Sequence, residues 1–164
     1  MSIRIFVTGG TFDKEYDEIK GQLYFKETHL PEILKLGRCT VPVQITTLMM
    51  IDSLHMTDHD RRRIAEHCKD CDDDKIIITH GTDTMVETAV MIASASIPKT
   101  IILTGAMIPY KFGSSDGLFN MGCALSFVQT LKHGVYITMN GRYFNWDEVK
   151  KNRETGFFED VKNY

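Results

Sequence analysis

Apolar residues occur along this chain in short continuous runs that are separated by longer, more polar stretches. Five runs rich in Ile, Val, Leu and Thr have the length of strands, and their continuous hydrophobicity predicts burial on both faces of a sheet. These runs are residues 3–7, 43–48, 75–79, 100–104 and 135–139. Four helix-like stretches with Asp or Thr near their starts lie between them: residues 28–37, 57–69, 83–94 and 116–132. Alternating strands and helices predict an α/β fold, a doubly wound domain with a mainly parallel sheet between helices.

The segment 12–25 breaks this alternation, because it is polar and aromatic and has Gly21 near its middle. We predict a hairpin or flap after the first strand, placed to close over a ligand. The chain has 164 residues, of which 43% are hydrophobic. That length suits one domain with its own core, so we expect residues 1–164 to form a single α/β domain without a second, carboxy-terminal one.

Two threonine-rich turns follow predicted strands and are the main functional signal. The first is Val7-Thr8-Gly9-Gly10-Thr11, and the second is Thr79-His80-Gly81-Thr82-Asp83-Thr84. Open α/β sheets bind ligands at the carboxyl ends of their strands, which is where both turns should lie. Either turn alone is explained by glycines in a tight turn and by helix caps. Their joint occurrence favours a site.

A threonine hydroxyl attacks a carbonyl only when a base or a hydrogen-bond relay activates it. Thr11 has Tyr16 nearby in the predicted flap, whereas Thr82 has Asp83 beside it and Lys150 and Lys151 later in the chain. A Lys, a carboxylate and a Thr can pass a proton among themselves, while N–H groups of the glycine turns stabilise an oxyanion.

Composition excludes several other classes of function. The net charge of −3 comes from 19 basic and 22 acidic residues, without a one-signed tail, so nucleic acid is not an expected partner. The chain has no run near the ~18 apolar residues that span a bilayer and no signal-peptide pattern, so we expect no membrane association and a cytoplasmic protein with reduced cysteines.

Cofactor sites are not expected either. Cys68 and Cys71 form an isolated CxxC without the second pair that zinc sites usually have, so we predict no metal. Neither glycine motif for nucleotide phosphates occurs, and we predict no organic cofactor.

Several ordered motifs resemble those of the bacterial-type L-asparaginases. They are residues 8–11, 78–85 with 87–89, 103–107, 115–120 and 147–151, and they extend over nearly the whole chain. The resemblance implies the amino-terminal α/β domain of that family. Longer members continue into a second domain that completes a neighbouring subunit's pocket, and this chain, ending at Tyr164, is similar to a short form.

The resemblance also implies roles for individual residues. Thr11 would be the primary nucleophile, and Tyr16 would help to activate it, with Tyr24 as the alternative partner. Thr82, Asp83 and Lys151 would form a second relay that assists attack and orients water.

Substrate recognition is implied in the same way. The substrate-binding residues would be Gly10, Asp52, Ser53, Gly81 and Ala106. The segment around Ser53 would hold the α-carboxylate and α-amino groups of the substrate, and Asp83 would also contact the ammonium. His55 stands where related segments often have an acidic residue, which bears on ammonium recognition and adds pH sensitivity.

We therefore predict an amidohydrolase that converts L-asparagine to L-aspartate and ammonia through a Thr-linked acyl-enzyme, with glutamine as a weaker substrate. An incomplete pocket predicts self-association into a homodimer or homotetramer. Two alternatives stay open. One is an asparaginase-like module that binds an amino acid without turnover, and the other is amide cleavage within a larger amidotransferase.

Overall fold

The computed structural model describes residues 2–161 and contains ten strands and four helices over that range. The strands are β1 (Ile3–Gly9), β2 (Lys14–Asp17), β3 (Gln22–Phe25), β4 (Val43–Ile51), β5 (Lys75–Thr79), β6 (Thr100–Thr104), β7 (Gly134–Met139), β8 (Arg142–Asn145), β9 (Val149–Lys151) and β10 (Phe158–Asp160). The helices are α1 (Leu30–Leu36), α2 (Asp58–Asp70), α3 (Met85–Ser94) and α4 (Gly117–Thr130). All five predicted strands and all four predicted helices are present, with ends shifted by a few residues.

Six strands form one central sheet in the order β4-β1-β5-β6-β7-β8. The first five strands are parallel, and β8 pairs antiparallel with β7 at the edge. The mainly parallel α/β fold predicted from the sequence is confirmed. From β1 the chain goes first to β4 on one side and then to β5 on the other, so the carboxyl ends of β1 and β5 lie at a switch point of the sheet.

The core lies on both faces of the sheet, which explains why the strand sequences are continuously apolar. In β1, Ile5 and Val7 pack on one face with α1 and α4, whereas Phe6 packs on the other. In β5, Ile76 joins the cluster of Phe6, α2 and α3, and Ile77 joins the opposite one. These strands are therefore fixed in register by side chains on both sides.

The sequence prediction missed the three strands β8, β9 and β10. A signal for β8 was present, because Asn140-Gly141 is a typical two-residue hairpin turn. Both residues have positive φ, 58° and 78° respectively, as that turn requires. β9 and β10 are only three residues long each and pair with one another outside the main sheet, so their hydrophobic pattern is too short to detect.

The flap predicted after the first strand is a hairpin. β2 and β3 pair antiparallel as a separate two-stranded sheet, with Gly21 in the turn. Its base is attached to the loop after β4 by an ion pair between Lys14 and Asp52. The tip of the hairpin is exposed to solvent, and Ile19 there is 92% exposed. Along residues 2–161, none of the helices has the length and hydropathy needed to cross a membrane.

Candidate active site

Loops that follow β1, β4 and β5 meet closely at the carboxyl edge of the sheet. A Cβ placed on Gly10 would lie 2.4 Å from the backbone N of Gly81, and a Cβ on Gly81 would lie 2.5 Å from the Oγ of Ser53. Thr8 reinforces the contact by donating from its hydroxyl to the Thr79 carbonyl at 2.7 Å. The two threonine-rich turns and the segment of Ser53 therefore lie close together.

The loop after β6 also lies against the loop that follows β5. A Cβ on Gly105 would lie 2.3 Å from the carbonyl oxygen of His80, and Ala106 is buried next to it. Asn120 donates to the Gly105 carbonyl at 2.9 Å, while the Asp116 carboxylate accepts from the backbone N–H of Met107 at 2.9 Å. Asp116, directly before α4, and Asn120 in its first turn thus fix the loop that carries Ala106.

Hydrogen bonds join the three residues that were predicted to act as a Thr–Lys–Asp relay. Lys151 Nζ donates to Thr82 Oγ1 at 2.8 Å and to Asp83 Oδ1 at 2.9 Å. Thr82 is 6% exposed, and the Lys151 side chain is 11% exposed. An ammonium group has donors but no acceptor. Lys151 can therefore take the Thr82 proton only after giving one of its own to an acceptor, and Asp83 lies in position to receive it.

The residues alone offered both Lys150 and Lys151 as partners of Thr82, and the family resemblance implied Lys151. These neighbours point to opposite sides of β9, as alternate residues of a strand do. Lys150 pairs with Glu159 at 3.4 Å and is 59% exposed, whereas Lys151 reaches Thr82 and Asp83. The geometry selects Lys151.

Arg153 also contacts Asp83, and the sequence analysis did not predict this contact. Its Nη1 donates to Asp83 Oδ1 at 3.1 Å, and its Nη2 donates to the Asp83 carbonyl at 3.0 Å. The only signal in the sequence was a second basic residue two positions after Lys151. Arg153 and Asp83 are 70 positions apart in the sequence, so a local sequence pattern cannot reveal their contact.

Thr11 begins a short 3₁₀ turn, Thr11–Asp13, directly after Gly10. The turn is anchored by Asp13, whose Oδ1 accepts from the backbone N–H of His29 at 2.9 Å and from the Thr28 hydroxyl. Burial raises the pKa of Asp13, and these hydrogen bonds only partly oppose it. Thr11 is half-buried and follows the glycine that touches Gly81, which places it beside the turn that carries Thr82.

The two flap tyrosines are not brought to Thr11 in this arrangement. Tyr16 is 53% exposed on β2, and its hydroxyl points towards Gly21 at the hairpin turn. Tyr24 donates to Glu15 at 2.9 Å. Across residues 2–161, neither hydroxyl forms a hydrogen bond with Thr11, so the partnership of Tyr16 and Thr11 stays a prediction.

Asp52 and Ser53 differ in accessibility. Burial opposes ionisation of Asp52, but hydrogen bonds from Lys14 and from the backbone N–H of Leu54 outweigh it, and its pKa lies below the usual value. Ser53 is 2% exposed beneath Gly81, and its carbonyl accepts from the Thr84 hydroxyl at 2.9 Å. His55, in contrast, is exposed. Asp52 therefore holds the flap as well as the loop, whereas Ser53 faces the second motif.

His80 lies below the site and has a structural environment. It is fully buried, with Nδ1 2.7 Å from the Gly81 carbonyl and Nε2 2.7 Å from the Thr88 hydroxyl. Burial lowers the pKa of His80 to about 4. The neutral ring donates from Nδ1–H to Gly81 and accepts from Thr88, so it shapes the turn.

Within the range 2–161, no group of three or more His, Cys, Asp or Glu side chains is arranged to hold a metal ion. Cys68 and Cys71, the isolated CxxC, lie at the end of α2. Burial raises the pKa of the Cys68 thiol. Lys99 donates to the Cys68 carbonyl at 2.9 Å, and this contact helps to satisfy the end of the helix.

Comparison with known proteins places the chain in a family. The family description "Asparaginase, N-terminal" matches residues 2–159. The chain is 31% identical over 166 residues to "L-asparaginase 1" of Escherichia coli (strain K12), with 95% of this chain and 49% of that protein covered.

Two solved structures have the same fold. The thermostable L-asparaginase from Thermococcus kodakarensis is 25% identical, with a TM-score of 0.88 over 100% of this chain and 52% of that one. A probable cytoplasmic L-asparaginase from Campylobacter jejuni is 28% identical, with a TM-score of 0.79 over 92% of this chain and 49% of that one. The chain spans about half the length of these relatives.

The contact between the two turns predicts an effect of Gly10→Ala. Gly10 has φ of 82°, and an added Cβ would meet the Gly81 backbone, so we expect the free energy of unfolding to fall by about 2 kcal/mol. Gly122→Ala is the matched control. No atom lies within 4 Å of its added Cβ in α4, and the same substitution there should stabilise by about 0.5–1 kcal/mol. Equal effects of the two substitutions in urea denaturation would contradict the steric argument.

The environment of His80 predicts acid sensitivity. Its pKa is about 4 in the folded chain and about 6.5 when unfolded, so the unfolded state binds more protons between these values. Stability should therefore fall as the pH is lowered from about 6.5 to 4, by up to about 3 kcal/mol. His80→Gln should flatten this part of the profile, and the exposed His133→Gln should not. NMR titration of the His80 imidazole in the wild-type protein is a second test, which does not depend on folding of the His80→Gln variant. A midpoint above pH 6 would contradict the lowered pKa of His80.

Proposed function

This chain belongs to the asparaginase family, and we propose from that premise that it hydrolyses the side-chain amide of L-asparagine to give L-aspartate and ammonia. The family match covers the amino-terminal domain, and the chain spans about half the length of the relatives. The observation that carries the proposal is the Thr82–Lys151–Asp83 relay beside the turn of Thr11.

The proposed first step is attack of Thr11 Oγ on the amide carbon. The Thr11 hydroxyl gives its proton to the Thr82–Lys151–Asp83 relay as the new C–O bond forms. The carbonyl oxygen becomes an oxyanion, which N–H groups of the glycine turns at Gly10 and Gly81 stabilise. When this intermediate collapses, the C–N bond breaks and the relay passes the proton it took from Thr11 to the leaving nitrogen, which departs as ammonia. The product is an ester between Thr11 and the β-carboxyl of aspartate.

The second step hydrolyses that ester. Lys151 and Asp83 connect to the Thr82 hydroxyl, and this relay removes a proton from the attacking water and returns one to Thr11 as the ester breaks. Low exposure of Thr82 and Lys151 strengthens the hydrogen bonds of the relay, because less water competes for them. Aspartate then leaves, and Thr11 regains its hydroxyl.

Substrate binding is proposed for the residues around these groups. Ser53 and Asp52 lie on the loop that meets Gly81 and would hold the α-substituents of the substrate. Asp83 would contact the α-ammonium, and Ala106 would line the pocket from the β6 side. Glutamine is one methylene longer and should fit less well.

A binding module without turnover is the rival interpretation. Binding an amino acid requires charged and polar groups around its α-substituents, but it does not require a partly buried lysine that is hydrogen-bonded to a threonine and a carboxylate. The relay therefore favours an enzyme.

Removing the proposed nucleophile should abolish turnover with folding intact. We expect Thr11→Ala to lower ammonia release from L-asparagine by about 10³-fold or more, and Thr82→Ala similarly. Lys151→Met should lower it by about 10²- to 10⁴-fold, because it removes the proton carrier of the relay. Ammonia would be measured over a wide range of L-asparagine and L-glutamine concentrations.

The matched control is Thr130→Ala, an exposed threonine at the end of α4. It should keep wild-type turnover. Near-normal activity in the Thr11, Thr82 or Lys151 variant would remove that residue from the mechanism, and wild-type protein that binds L-asparagine without releasing ammonia would favour the binding module.

We also propose a homodimer or homotetramer in the cytoplasm. A groove of about 730 Å³ on the outer face of α4 is lined by Leu118, Phe119 and Phe127, and Phe119 is 61% exposed. Exposed apolar patches of this kind often mark contact surfaces. The probable cytoplasmic relative from Campylobacter jejuni supports the location.

Self-association predicts a concentration-dependent sedimentation coefficient. Phe119→Ser should shift the chain towards the monomer, since it replaces the most exposed aromatic ring of the groove by a polar group. A wild-type monomer with full activity would contradict the oligomer.

A further inference from the structure

The Asp83 carboxylate forms ion pairs with two cationic side chains, Lys151 and Arg153. Its Oδ1 accepts from Lys151 Nζ at 2.9 Å and from Arg153 Nη1 at 3.1 Å. Arg153 also donates from Nη2 to the Asp83 main-chain carbonyl at 3.0 Å. The Arg153 guanidinium therefore binds both the side chain and the backbone of Asp83, the residue proposed to bind the α-ammonium of the substrate.

The position of Arg153 is set by an ordered turn after β9. Asn152 Oδ1 accepts from the backbone N–H groups of Glu154 and Thr155 at 3.0 and 3.3 Å. Gly156 N–H donates to the Asn152 carbonyl at 2.8 Å. This turn presents Arg153 to Asp83, so the contact follows from the backbone and not only from a long side chain on the surface.

Other carboxylates near the site do not offset the extra positive charge. Asp52 is paired with Lys14, and Asp116 accepts from backbone N–H groups of the β6 loop. Glu87 lines the same cavity of about 300 Å³ as Arg153, yet it is exposed, and within residues 2–161 it forms no ion pair. Around Asp83 there are thus two positive charges and one negative charge.

We propose that Arg153 is a specificity-determining residue that competes with the substrate's α-ammonium for the Asp83 carboxylate. The site then takes monoamides of four-carbon dicarboxylic acids with or without an α-ammonium group, instead of amino acids alone. This inference rests on the proposed amidohydrolase function and narrows its substrate class.

The physical reason is repulsion between like charges that share one partner. A guanidinium keeps its charge at all ordinary pH values, so the competition is permanent. The Arg153 side chain is 63% exposed, and water therefore screens it. Its effect on selectivity should be about fivefold, the upper range for an exposed ion pair. Lys151 cannot be varied for this purpose, because it belongs to the proposed relay.

The test compares ligands that differ only by the α-ammonium. Binding of succinate and of L-aspartate is measured by calorimetry. Ammonia release is measured with succinamate and with L-asparagine as substrates. The variants are Arg153→Gln, which removes the charge, and Arg153→Lys, which keeps it. Arg142→Gln is the control, since Arg142 is a similarly exposed arginine that pairs with Asp160 at 2.7 Å.

We expect Arg153→Gln to shift the affinity ratio about fivefold towards L-aspartate over succinate, and the kcat/KM ratio equally towards L-asparagine. Arg153→Lys should keep most of the wild-type ratio, and Arg142→Gln should leave it unchanged. Added salt should reduce the difference between wild type and Arg153→Gln.

An unchanged ratio in Arg153→Gln, or equal losses for both ligands of a pair, would overturn the inference and leave Arg153 a structural residue. Failure of either product to bind the wild type would also overturn it. If the products bind but neither amide releases ammonia, the proposed function fails, and the affinity ratio still decides the role of Arg153.

Discussion

The close approach of the loops after β1 and β5 is the constraint on which the site depends. Gly10 and Gly81 are nearly in backbone contact, and a side chain on either would collide with main-chain or Ser53 atoms. This approach is possible because β1 and β5 are hydrogen-bonded neighbours whose buried side chains fix their register. The sheet therefore determines how far apart the threonines of the two turns can be.

The relay depends on a second, longer-range element. Lys151 is 69 residues from Thr82 and reaches it from the β9–β10 hairpin, which is not part of the main sheet. Val149 and Phe158, 4% and 3% exposed, anchor that hairpin in the same core cluster as α3. The backbone N–H of Phe158 also donates to Asn140 Oδ1 at 3.0 Å. Burial of two apolar side chains thus positions a charged one.

Features that depend on residues close together in the sequence could be predicted, and features that depend on distant residues could not. The strands and helices were predictable because hydrophobic runs and their spacing reflect burial on a sheet. The two threonine turns were predictable because their glycines and hydroxyls stand directly after such runs. Lys150 and Lys151 are distinguished in the structure by the side of β9 to which each side chain points. Arg153 was not predictable, since its contact with Asp83 depends on a turn built by Asn152. The flap was predicted as a hairpin, but the direction of Tyr16 depends on cross-strand packing that its sequence does not determine.

The hairpin β2–β3 is attached to the rest of the domain at its base and is exposed at its tip. Lys14 and Asp52 join its base to the loop after β4, while Ile19 at its tip is 92% exposed. Displacing the tip would remove no side chain from either core cluster, because β2 and β3 contribute none to them. The outer part of the hairpin can therefore change without disturbing the framework that aligns the threonines, and substitutions there should have little effect on the free energy of unfolding.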